Sequence, residues 1–145
     1  MFKYTKIIDK LQSFYIDGKW EPSSRNGRLS LINPATEESI GQIALADEVD
    51  VEIAVAAASA AFKDFCHSSV KDRIDLLQNI LTIYEQRVDE FALAISIEMG
   101  APIDFARSEQ AQAGIDHLSA LIEDVKSYEF ERKLRNGDTI VMEPI

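Results

Sequence analysis

The most reactive side chains in this sequence of 145 residues are Cys66 and His67, neighbours in a short link after an alanine-rich stretch. A thiol beside an imidazole suggests nucleophilic catalysis, since a base raises the thiolate fraction. Sequence neighbours rarely point at each other, however, and this pair lies on no strand-to-helix elbow. The simpler reading is a partly buried small side chain beside a solvated ring. His117, among Ile115, Leu118 and Leu121, reads as a hydrogen-bonded helix histidine, because no acid or nucleophile has a visible link to it. Glu98, in "SIEMGAP", falls near a helix C-terminus, where a carboxylate opposes the dipole and needs a partner or an exposed position. Glu48, Asp50 and Glu52, and the pair Glu123-Asp124, lack the ligand pattern and turn glycine of a calcium loop and read as solvated helix faces. The two histidines are too far apart for metal spacing, and the single glycines form neither GxGxxG nor GxxxxGK[ST]. No catalytic, cofactor-binding or metal residue is assigned on these grounds.

Composition narrows the class of protein. A hydrophobic fraction of 46% and a charged fraction of 28% suit a soluble globular chain with a core. The net charge of −10 argues against nucleic acid or an anionic membrane as partner, since phosphate neutralisation needs clustered Lys and Arg. No apolar run approaches the roughly 20 residues that span a bilayer. Met1 to Lys10 has no apolar segment of the signal-peptide kind. With Cys66 the only cysteine, no intramolecular disulfide forms, and a cytoplasmic protein is expected.

The elements that must carry these residues follow from spacing. "FYIDGKWE" places Asp17-Gly18 between two β-prone arms over Ser13 to Pro22, a type I′ hairpin signal. Leu29, Leu31 and Asn33 share one face of a second extended segment. Pro34 to Glu38 turns the chain, and Ile40, Ile43 and Leu45 continue as its partner. Glu21 to Gly27 is linker-like. Asp47 occupies an N-cap position, with Glu48 and Asp50 in the first turn. Val51, Ala54, Val55, Ala58, Ala61, Phe62 and Phe65 then follow helical spacing, giving a small, smooth face for close packing. Ser69 to Asp72 resembles a capping box, followed by Ile74, Leu77, Leu81, Tyr84, Val88, Phe91 and Ile95 along one helix of about eight turns. Gly100 suits the residue that ends it, and Pro102 the first turn of a third helix carrying Phe105, Ala106, Ala113, Leu118, Leu121, Ile122 and Val125. Gly114 inside that helix marks a close contact or a bend. "YEFERKL" and "TIVMEP" flank Asn136-Gly137, the strongest short hairpin signal.

In order and at matching intervals, "FYIDGKW", "INPATEESIGQIALADEVDVEIAVAAASAAF", "IEMGAP" and "NGDTIVMEPI" resemble the N-terminal region of NAD(P)-dependent aldehyde dehydrogenases. Phe65 stands where the family often has Trp, and "EMGAP" replaces the commoner E-x-G-K-P. The resemblance implies the N-terminal portion of an α/β fold (α+β as a fragment): β-hairpins, three long helices and a terminal hairpin. It implies a single incomplete domain over residues 1–145, with residues 129–145 as a hairpin resembling the oligomerisation arm. The family reaction is thiolate attack on an aldehyde, hydride transfer to nicotinamide and thioester hydrolysis by activated water. In the family the cofactor-loop glycines, general-base glutamate and catalytic cysteine with its oxyanion asparagine all follow the segment matched here, and Cys66 matches no part of the cysteine motif. Some members hold a structural monovalent cation through groups matching Ile32 and Glu98, but carbonyl ligands leave little mark on sequence and no metal is assigned.

The expectation is therefore an N-terminal fragment of an aldehyde dehydrogenase, inactive alone. NAD or NADP and the aldehyde would bind only in the complete enzyme. A non-catalytic assembly module binding dehydrogenase subunits through the terminal hairpin, or a remnant, stands as the alternative. Its partners would be itself or the remainder of an aldehyde dehydrogenase, because uncovered apolar stripes from Ile74 to Ile95 and Phe105 to Val125 favour association.

Overall fold

In the computed structural model, residues 10–23 and 27–142 are described. Three antiparallel hairpins frame a run of helices. The first pairs β1 (Ser13–Ile16) with β2 (Lys19–Pro22), with Tyr15 opposite Trp20. Asp17 and Gly18 take φ 50° and 75°, the left-handed pair a type I′ turn requires. The second pairs β3 (Arg28–Ile32) with β4 (Ser39–Ala44), with a register shift at Leu31/Ile32. Its turn is closed locally: the Asn33 side-chain oxygen accepts from the Ala35 amide at 2.9 Å, and the Asn33 carbonyl accepts from the Glu37 amide at 2.8 Å. The last hairpin, β5 (Glu131–Lys133) and β6 (Thr139–Val141), is shorter than its flanking sequence suggested, and Gly137 turns it at φ 92°. The linker-like Glu21 to Gly27 and the "MEPI" end lie partly outside the described residues.

Both expected N-caps form, and the one at Asp47 is also a full capping box, as expected only of Ser69. Asp47 caps α1 (Glu48–Phe65), and its backbone amide donates in return to Asp50. Ser69 caps α2 (Val70–Gln86) through the Asp72 amide at 3.1 Å. The Ser69 hydroxyl and amide hold the Asp72 carboxyl below its ordinary value of 3.8.

The eight-turn helix expected over residues 70–99 is two helices. It breaks at Arg87, whose φ of −117° and ψ of 11° interrupt the ladder before α3 (Val88–Met99). The tertiary contacts give the reason: α2 packs on α5 (Gln112–Ser127), whereas α3 packs on a different stretch, Ala106–Ala111. One straight helix cannot follow both. Tyr84 and Phe91 stack across the break with ring centroids 4.2 Å apart.

The third helix also departs from regularity. A single turn, α4 (Ile103–Phe105), passes into π-helical backbone over Ala106–Ala111 before α5 begins. The tightest core lies here: Ala92, Ala106 and Ala111 are wholly buried, with Val88, Ile95 and Ala101 against them. Alanines bring two backbones close together but bury little apolar area.

Candidate functional site

No hydrogen bond joins Cys66 to His67 among the described residues. The Cys66 thiol donates to the Lys63 carbonyl at 3.5 Å, while the neighbouring His67 is exposed. The hydrogen-bonded role expected of His117 is not met: its ring is exposed on α5 with no hydrogen-bond partner among the described residues. Glu98 is exposed, which relieves its opposition to the helix dipole. Asp50 corrects the solvated reading given to the acidic group around it. It is buried and accepts from the Ser23 hydroxyl at 3.1 Å and the Asp47 amide at 3.2 Å, so its charge is met inside the fold. Glu48, Glu52, Glu123 and Asp124 are exposed. Among the described residues no group of three or more His, Cys, Asp or Glu gathers to hold a metal, and no helix is long and apolar enough to cross a membrane.

Two motifs far apart in sequence do meet. Gly100, at φ 73° beyond the end of α3, lies against the turn after β3: a Cβ there would come within 2.8 Å of Pro34 Cγ. "NPAT" and "MGAP" thus form one joint, with Ile32 and Glu98 each two residues from it. Gly114 is the second close approach. A Cβ on it would fall 2.5 Å from Tyr84 Cζ, and the Tyr84 hydroxyl donates to the Ala111 carbonyl at 3.0 Å. The space beside each of these glycines is filled by Pro34 or Tyr84.

What the arrangement offers is surface. The predicted stripe of α1 is open: Val51, Val55, Phe62 and Phe65 are 53%, 59%, 41% and 51% exposed. The small face expected to pack closely is largely open: Ala54 and Ala57 are half-buried and Ala58 and Ala61 exposed along a groove beneath the first hairpin. On α2, the stripe Ile74, Leu77, Leu81 and Tyr84 is half-buried. A second row, Leu76, Ile80 and Ile83, is exposed. Sequence reading missed that row, although its i, i+4, i+7 spacing was visible; one helix with two apolar faces is a helix with two neighbours. At the root of the last hairpin, Tyr128, Phe130 and Met142 face Cys66, Val70 and Arg73 across a cavity of about 310 Å³.

A surface scaffold of this architecture has known relatives. The aldehyde dehydrogenase family model matches residues 20–145, and the chain belongs to that family. A putative aldehyde dehydrogenase of Staphylococcus aureus is 42% identical over 131 residues, covering 90% of this chain and 27% of the relative. Among solved structures, an aldehyde dehydrogenase from Bartonella henselae superposes with a TM-score of 0.85 at 37% identity, over 88% of this chain and 27% of that one. Aldehyde dehydrogenase C from Pseudomonas syringae, a mutant in complex with NAD+ and octanal, gives 0.84 at 35% identity, over 87% and 26%. The chain therefore spans about a quarter of the length of the relatives it matches. The mixed α/β architecture is that of the N-terminal portion of the aldehyde dehydrogenase fold.

Proposed function

We propose that this chain is the N-terminal scaffold of an NAD(P)-dependent aldehyde dehydrogenase that oxidises an aldehyde to a carboxylate. It contributes contact surface rather than reactive groups. The observation that carries this reading is the pair of open apolar rows on α1 and α2 in a chain of this family. The lack of a hydrogen bond between Cys66 and His67 among the described residues supports placing the nucleophile elsewhere in the complete enzyme. A lone cysteine needs no oxidising compartment, which supports a cytoplasmic setting. Residues 129–145 are then the arm through which subunits assemble; Glu131–Lys133 and Thr139–Val141 pair only with each other among the described residues, which leaves an edge on each for a further strand.

The test is NAD(P)H production by the purified 145-residue chain with a panel of aldehydes at high protein concentration. No turnover is expected. Clear turnover overturns the reading.

A further inference from the structure

We propose that the cavity between the α1–α2 link and the root of the last hairpin binds a small monocarboxylate with an apolar tail. Arg73 takes the carboxylate, and Tyr128, Phe130 and Met142 take the tail.

The cation comes first. Arg87 and Arg107 pair with carboxylates at the surface. Arg73 is half-buried instead, and among the described residues its partners are neutral. Its Nε donates to the Ser68 hydroxyl at 3.0 Å, and its Nη2 donates to the Cys66 carbonyl at 3.2 Å. The guanidinium also lies over the Phe65 ring, 5.8 Å from its centroid. These contacts fix the plane of the fork and leave Nη1 without a partner among the described residues. A planar, pre-positioned guanidinium edge matches the two oxygens of a carboxylate. No Asp or Glu is among the residues that line the cavity. The adjoining carboxylate, Asp72, is held by the Ser69 amide and hydroxyl.

The wall across from Arg73 is apolar and tied together by its own contacts. The Met142 amide donates to the Phe130 carbonyl at 2.8 Å, and the Tyr128 hydroxyl donates to Met142 Sδ at 3.2 Å. The Tyr128 and Phe130 rings meet edge to face, 4.8 Å between centroids. Val70, Tyr128 and Met142 are nonetheless exposed, so a tail laid against them removes apolar surface from water. At about 310 Å³ the cavity lies at the small end of ligand sites, which suits an acid of one ring or a short chain. The two walls together decide between anions. Phosphate has no apolar part and carries more charge than one guanidinium neutralises; an acid with a tail satisfies both sides.

The test is a ligand-observed NMR titration of the 145-residue chain with phenylacetate, beside phenethyl alcohol and inorganic phosphate. Phenylacetate is expected to bind with a Kd of about 1 mM, with amide shifts confined to the residues lining the cavity. The alcohol and phosphate should each bind at least about tenfold more weakly. Arg73→Gln should abolish binding. Because Arg73 also braces the Cys66 carbonyl, Val70→Glu is the second variant. It places a carboxylate three residues before Arg73, in ion-pair reach on the same helix face, and a glutamate in the first turn suits the helix. Its circular dichroism should stay unchanged while phenylacetate binding falls about tenfold or more. Three results would each overturn the proposal: no saturable phenylacetate binding, equal binding of the alcohol or of phosphate, or undiminished binding by a folded Val70→Glu chain.

Discussion

Helices α2 and α1 are of nearly equal length, 17 and 18 residues, yet they stand in opposite situations. α2 is held by its neighbour: Tyr84 reaches across to the Ala111 carbonyl over a glycine that leaves room for its ring. α1 meets the rest of the chain through Asp50 and the half-buried Ala54 and Ala57, and shows valines and phenylalanines to water. Their apolar residues differ, alanine and valine on α1 against leucine and isoleucine on α2, and so does the extent to which a partner surface is present. A hydrophobic stripe states that something should cover it and leaves open what does.

This comparison can be broken most directly at Gly114. Gly114→Val forces the Tyr84 ring out of its place, and the chain is expected to lose about 3 kcal/mol in urea unfolding, the overpacking strain adding to a lost hydrogen bond. A loss below about 0.5 kcal/mol would show that α2 and α5 are held no more firmly than α1. Gly100→Ala is next. Its φ of 73° and the nearby Pro34 ring should together cost about 2 kcal/mol, measurable in the same experiment. Tyr84→Phe removes only the hydroxyl and should cost about 1 kcal/mol; no change would mean that ring packing alone joins the helices. Val55→Asp provides the opposing case. It should alter the stability of the isolated chain by less than about 0.5 kcal/mol, since the side chain is already in water, while raising solubility. The smallest effect concerns pH. Asp72 is depressed in the folded state by Ser69, so its contribution is present above the ordinary aspartate value of 3.8 and is lost as pH falls through the lower folded value. Amide exchange at the start of α2 should accelerate in that acid window, and Asp72→Asn should remove the dependence.

Much of the backbone was legible because its signals are local. Asp17-Gly18 and Asn136-Gly137 determine their turns, and Asp47 and Ser69 determine two helix starts, all within a few residues. The break at Arg87 was not legible, because the stripe from Ile74 to Ile95 has an unbroken helical period; the break arises where two halves of that stripe meet different partners. Asp50 misled for a similar reason. Its neighbours Glu48 and Glu52 are solvated, and only the approach of Ser23 makes the position between them a buried one. The π-helical stretch over Ala106–Ala111 has no visible mark in composition, since alanine accepts either ladder.

By itself the sequence determined the hairpin turns, the capped helix starts, the apolar rows and, through ordered motifs, the family. Tertiary structure alone decided that Pro34 meets Gly100, that Tyr84 fills the space over Gly114, and which apolar rows remain open. The reason is physical: turns and caps are satisfied by atoms a few residues apart, whereas burial depends on surfaces brought together from distant parts of the chain.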